Sequence, residues 1–151
     1  MKILMVCLGN ICRSPIADGL LRKKVSQQNL DIYVDSAGTS GIHAGESPDK
    51  RMQKVAADLG TPINDLKSRK FTVNDFDEFD IIFAMDKSNY FNIRQMARTN
   101  NDKEKVHLIL EYTNNQVLKE VPDPYYGGEQ GFVDVYNILD EATDIVLSKI
   151  K

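Results

Sequence analysis

The stretch CLGNICRS, residues 7–14, follows directly on the apolar run ILMV at residues 3–6. Residues 2–6 read as a short strand buried on both faces, because the run is continuous rather than alternating. Downstream, Ser14 is placed to cap a helix, with Pro15 in a first turn where a missing N–H does no harm. Ile16, Leu20 and Leu21 give that helix, expected over residues 14–29, one apolar face. The stretch is therefore a strand–loop–helix unit, and its loop holds two cysteines, a Gly-Asn pair and an arginine. Three readings compete for it: a redox pair, an anion-binding loop, or a plain connecting turn.

Moving outward, residues 32–36 read as a second strand that ends in the turn-rich SAGTSGIHAGESP. Ser47-Pro48 starts another helix, with Met52, Val55, Ala56 and Leu59 on one stripe and Gly60 and Pro62 as its stop. FDIIFAMD, residues 79–86, reads as a third strand, and Asp86 is placed to cap the helix carrying Tyr90, Ile93 and Ala97. TNNDKEK, residues 99–105, reads as a solvated loop before a fourth strand at 106–110. A last helix carries Phe132, Tyr136, Leu139, Thr143, Val146 and Ile150 at spacings of three and four. Strands alternating with helices predict an α/β fold, a four-stranded parallel sheet flanked by helices on both faces as a three-layer α/β/α arrangement. No repeat or linker divides residues 1–151, so one domain is expected. Ligands in such sheets bind beyond the carboxyl ends of the strands, where Cys7, Ser36 and Asp86 are all expected to stand.

Composition narrows the partners. The chain has 151 residues, 42% hydrophobic and 27% charged, with a net charge of -3. That balance gives no basic field for nucleic acid or for anionic membrane surfaces. MKILMVCLGNIC starts like a secretory leader, but Asn10 and Arg13 interrupt it and no small-x-small cleavage pattern follows. Two cysteines, Cys7 and Cys12, are too few and too close for a disulfide framework, which points to the cytoplasm. His43 and His107 stand too far apart to suggest a metal site, and no nucleotide-hydrolysing G-x-x-x-x-G-K-[ST] occurs.

The loop itself has the pattern C-x5-R followed by Ser14, between a strand and a helix N-terminus. Such a loop turns backbone N–H groups toward one point, and the helix dipole adds partial positive charge there. Gly9 is expected to supply backbone freedom at its tightest part. Arg13 can grip two phosphate oxygens as a fork, and the same field favours the thiolate form of Cys7. Taken alone, Cys7 reads as a small buried hydrophobe and Asp123 as a turn residue. Combined with Arg13 and Ser14 they read as a site.

CLGNICRSPIAD (7–18) resembles the phosphate-binding loop of the low-molecular-weight protein tyrosine phosphatases. DSAGTS (35–40), FDIIFAMDKSN (79–89) and DPYYGG (123–128) follow in that family's order and rough spacing, so the resemblance covers essentially the whole chain. It implies hydrolysis of phosphotyrosine through a phosphocysteine, with Cys7 as nucleophile, Arg13 as phosphate clamp and Asp123 as general acid and then base. The loop from Leu8 through Gly9, Asn10, Ile11 and Cys12 to Ser14 would meet the substrate, Ser14 also bonding the Cys7 sulfur. Leu8, Ile11, Tyr125 and Tyr126 would wall a slot for an aromatic phosphate. Asn10 and Ser36 would form a polar network behind the loop, and Asp86 would orient Arg13 or the loop. Implied partners are a tyrosine-phosphorylated protein as substrate and inorganic phosphate or similar oxyanions as ligands, with no cofactor. In some members of that family the tyrosine pair is itself phosphorylated, which makes Tyr125 and Tyr126 candidates for regulation, and Cys12 is placed to trap an oxidised Cys7 as a disulfide.

The sequence departs from the family pattern at Leu66, which stands where a histidine of the polar network is common, and at the rim positions near Ile42 and His43. Two other chemistries use similar loops. Thioredoxin-coupled arsenate reductases need further cysteines, and none follows Cys12. Phosphocarriers that phosphorylate a cysteine lack the paired arginine and the late aspartate, both present here. A non-catalytic phosphate-binding module is the remaining alternative.

Overall fold

The computed structural model describes all residues, 1–151. Four strands form one parallel sheet in the order β2-β1-β3-β4: β1 (Lys2–Cys7), β2 (Tyr33–Gly38), β3 (Ile81–Ala84) and β4 (Val106–Leu108). Helix α1 (Arg13–Gln27) connects β1 to β2, and α2 (Lys50–Asp58) and α3 (Asp75–Glu78) precede β3. The remaining helices are α4 (Lys87–Gln95), α5 (Asn100–Glu104), α6 (Ile109–Tyr112) and α7 (Glu129–Ile150). No helix is long and apolar enough to cross a membrane.

The pleat of β1 explains the layers. Ile3, Met5 and Cys7 point to one face and pack with α1, α2 and α7. Leu4 and Val6 point to the other and pack with Phe71, Phe76, Phe79 and Ile93. Both faces are covered, which is why the run shows no apolar–polar alternation. The order reverses between β1 and β3, so the loop after β1 opens into the crevice at that switch point. The expected three-layer α/β/α architecture is the observed one.

The boundaries moved for local reasons. α1 begins at Arg13 with Cys12 at the cap position and no side-chain cap, so Ser14 does not cap it. Asp49, not Ser47, caps α2, accepting from the N–H groups of Arg51 and Met52. Residues 100–104, expected as loop, form α5 because the Thr99 hydroxyl accepts from the Asp102 N–H. β2 runs past Ser36 to Gly38, where it also bridges Lys70, so Ser36 lies inside the strand rather than at its end. β4 stops at Leu108 and the chain turns into α6. Asp86 does cap α4, in a capping box with Asn89.

Candidate active site

The loop after β1 curls around the Cys7 sulfur. The Asn10 N–H donates to Cys7 Sγ at 3.3 Å, and Ser14 Oγ lies 3.0 Å from the same sulfur. Asn10 is the residue that makes the curl, with φ at +56°, a left-handed conformation asparagine tolerates. Gly9 is not left-handed, which corrects the expectation for it; a Cβ there would lie 3.1 Å from His43 Cδ2, so its role is space. The backbone N–H groups of Leu8, Gly9, Ile11, Cys12, Arg13 and Ser14 make no hydrogen bond within the chain. Six unpaired donors in one loop at the start of a helix suit an oxyanion.

Behind the loop, Asn10 Nδ2 donates to Ser14 Oγ at 2.8 Å and to Ser36 Oγ at 2.9 Å, while Asn10 Oδ1 accepts from the Arg69 N–H at 3.0 Å. Ser68 Oγ donates to the Gly9 carbonyl at 3.1 Å. Leu66 packs partly buried against the core instead of joining this network. The polar contacts of its segment come from Ser68 and the Arg69 backbone.

Arg13 is fixed from three sides while only 3% exposed. Its Nη1 donates to Asp86 Oδ2 at 2.7 Å and to the Val121 carbonyl at 3.0 Å, and its Nη2 stands 3.6 Å from Asp123 Oδ2. Burial opposes the guanidinium charge, but Cys7, Asp86 and Asp123 outweigh it and hold the proton more firmly than usual. Asp86 divides its oxygens: Oδ1 caps α4 at the Asn89 N–H, and Oδ2 holds Arg13. The Val121 N–H bonds the Met85 carbonyl at 2.8 Å, which stitches the segment carrying Asp123 to the end of β3. Burial, with Asp49 and Cys7 adding to it, pushes the Cys12 thiol up.

Cys7, Leu8, Gly9, Ile11, Cys12, Arg13, Asp123, Tyr125 and Tyr126 line one cavity of about 240 Å³. A family model for low molecular weight phosphotyrosine protein phosphatases matches residues 2–151. The chain belongs to that family. A Schizosaccharomyces pombe low molecular weight phosphotyrosine protein phosphatase is 43% identical over 152 residues, covering 99% of this chain and 96% of the relative. The structure of a protein tyrosine phosphatase from Entamoeba histolytica, with Hepes in the active site, superposes with a TM-score of 0.94 at 40% identity. It covers 99% of this chain and 96% of that one. The structure of a Drosophila arginine phosphatase gives a TM-score of 0.93 at 35% identity, covering 100% and 98%. Cys7 and Arg13 fit the phosphate-binding loop of these phosphatases.

In this phosphatase the sequence-predicted residues fall into three groups, one of them Asp86 alone, which holds Arg13 without lining the cavity. Most of them line the cavity, Tyr126 from a position 95% exposed at its rim. Asn10, Ser14 and Ser36 are buried behind the loop, so their side chains support it rather than line the slot. Sequence reasoning missed Ser40 as a lining residue, and it noted Ile42 and His43 only as rim positions. The His43 ring bonds Glu46 at 3.0 Å through Nδ1. It also missed the Val121 carbonyl, a backbone contact that leaves no side-chain signal.

Proposed function

We propose that residues 1–151 form a single catalytic domain that hydrolyses phosphotyrosine in proteins through a phosphocysteine. Cys7 Sγ attacks phosphorus while Arg13 and the unpaired loop amides hold the equatorial oxygens. The P–O bond to the ring breaks, and Asp123 gives its proton to the departing phenolate oxygen. The Asp123 carboxylate then takes a proton from water, which attacks the phosphocysteine. Phosphate leaves, and the Ser14 hydroxyl stabilises the thiolate that returns on Cys7. The observation that carries this reading is that Cys7, Arg13 and Asp123 face one cavity, with Arg13 between the other two.

The family acts on phosphorylated substrates; an aryl group is favoured here by the walls. Leu8, Ile11, Ile42 and Tyr125 offer apolar surface, and Asp123 is the one acidic residue lining the cavity. A guanidino phosphate, the class suggested by the name of the Drosophila neighbour, would present cationic nitrogen to a slot with little to meet it. Two free thiols, one of them the nucleophile, support a reducing, cytoplasmic setting.

The test is hydrolysis of para-nitrophenyl phosphate, phenyl phosphate, phosphotyrosine peptide and phosphoarginine. Wild type is expected to turn over the aryl substrates ahead of phosphoarginine, and Cys7→Ser to be inactive. Asp123→Asn is expected to lose about 10²–10⁴-fold in kcat on phenyl phosphate. The loss should be smaller on para-nitrophenyl phosphate, whose leaving group departs with less help. Full activity of Cys7→Ser would sink the mechanism, and preference for phosphoarginine would replace the substrate class.

A further inference from the structure

Asp18 is a buried ionisable group that this mechanism leaves unused, and the one of the buried carboxylates with an oxygen lacking a partner. It lies on α1, four residues after Ser14, and is shut off from solvent. Its Oδ1 accepts from Arg22 Nη2 at 2.8 Å. Its Oδ2 makes no hydrogen bond of ordinary geometry, although the Ser36 hydroxyl approaches the carboxyl from β2 and favours its ionised form. A buried carboxylate oxygen without a full partner costs stability, so its retention needs a reason.

The directions of the neighbouring hydrogen bonds supply one. The Arg69 N–H fixes Asn10 Oδ1, so the Asn10 amide must present Nδ2 to both hydroxyls. Each hydroxyl oxygen accepts from Asn10 and has its own proton to place elsewhere. For Ser14 the closest acceptor is Cys7 Sγ at 3.0 Å, ahead of the Ala37 carbonyl at 3.4 Å. Ser36 donates no hydrogen bond of its own, and the neighbouring group able to accept its proton is the Asp18 carboxylate, whose Oδ2 has no partner. One amide thus stands between two hydroxyls, one meeting the nucleophile and the other beside a buried carboxylate.

We propose that Asp18 is a positioning residue for Cys7: its ionised carboxylate is the acceptor toward which the Ser36 hydroxyl turns, which holds Ser36, Asn10 and Ser14 in the arrangement that aims the Ser14 hydroxyl at Cys7 Sγ. The inference rests on Cys7 acting as the nucleophile. Arg22 on α1 favours the charged carboxylate, while burial and Asp35 on β2 oppose it, and Asp35 is itself paired with Arg69. Burial dominates and pushes the Asp18 carboxyl up to about 6. Mild acid then returns a proton to Asp18, which turns an acceptor for Ser36 into a competing donor. The chain of bonds loosens at the end remote from the substrate.

Asp18→Asn tests this, because the Arg22 donor pins the amide oxygen and leaves an NH2 facing Ser36, a donor where an acceptor is needed. Its kcat is expected to fall about 3–10-fold, with KM within about twofold. Alkylation of Cys7 by iodoacetamide, followed on its own peptide by mass spectrometry, should slow at neutral pH and lose the part of its acid dependence that belongs to Asp18. The unfolding midpoint at neutral pH should stay level or rise. Ser36→Ala is expected to behave alike, and the double variant to be no worse than the poorer single one. Asp18→Leu, which removes the carboxylate altogether, should repeat the pattern of lower activity without lower stability. Wild-type alkylation and kcat in folded Asp18→Asn or Asp18→Leu would overturn the proposal. So would additive effects in the double variant, or activity lost only in step with stability. If Cys7→Ser is inactive while Asp18→Asn behaves as wild type, this inference alone fails; an active Cys7→Ser removes the catalytic reading beneath it.

Discussion

Arg13 shows at the residue scale how few atoms remain for the substrate once the fold has taken its share. Nη1 is committed to Asp86 and Val121, so Nη2 and Nε are left for a phosphate. Lysine cannot replace such a fork, since a single ammonium cannot reach Asp86, the Val121 carbonyl and an oxyanion together. Arg13→Lys is expected to lose about 10²–10³-fold in kcat/KM on an aryl phosphate, the scale of removing one transition-state donor. A loss below about tenfold would mean that the loop amides suffice without the guanidinium. Cys7 and Arg13 were legible in the sequence because a C-x5-R loop depends on residue type at a fixed spacing, whereas Asp123 was marked only by the resemblance that DPYYGG carries. Asp18 was not. It stands between Ala17 and Leu20 on a helix whose residues 13–18 are all buried, and nothing in a linear pattern separates a functional buried acid from a capping or surface one.

At the scale of elements, the site is held where three segments meet: the loop after β1, the end of β2 and the stretch from Ser68 to Phe71. Gly38 closes that junction. Its N–H donates to the Arg69 carbonyl and its carbonyl accepts from the Phe71 N–H. A Cβ on Gly38 would lie 2.8 Å from the Leu8 carbonyl oxygen and 3.0 Å from that of Ser40, both backbone atoms that cannot swing aside. Gly38→Ala is therefore expected to destabilise by about 1–3 kcal/mol, read by thermal unfolding, and to lower kcat as the loop is pushed off Cys7. On the opposite wall, Arg51 of α2 packs its guanidinium over the Tyr125 ring at 5.3 Å and over Phe132 at 4.7 Å, while Asp49 grips it from behind. Arg51→Ala should free Tyr125 and raise KM for an aryl phosphate by about 2–5-fold with kcat kept; an unchanged KM would show that the wall holds itself. The sequence located the long elements through their periodicity. It missed α5 and the true caps of α1 and α2, because a few residues carry no period and capping is decided by one side-chain contact.

For the whole molecule, pH acts on stability through the same buried acid. Asp18 holds its proton up to about pH 6 in the folded chain, against an ordinary 3.8. The folded state binds that proton more tightly, so the contribution of neutral Asp18 is complete below the lower value and is lost as pH rises through the upper one. Measured as wild type minus Asp18→Asn, unfolding free energy is expected to fall on the order of 2–3 kcal/mol across that window. A flat difference would place Asp18 in a far more polar setting. The fold class itself was legible, since β1 is apolar on both faces and the strands alternate with helices. The strand order was not, because pairing of β1 with both β2 and β3 is a long-range choice that no local pattern encodes. The six unpaired amides around Cys7 have a consequence beyond catalysis. They make the loop a place where folding is left incomplete by design of its geometry, and a tetrahedral anion acts there as a keystone. Phosphate at about a hundred times its dissociation constant should add about 2.7 kcal/mol to the unfolding free energy. The melting temperature would then report the bound anion, so that the resistance of this protein to heat rises and falls with the concentration of its own product.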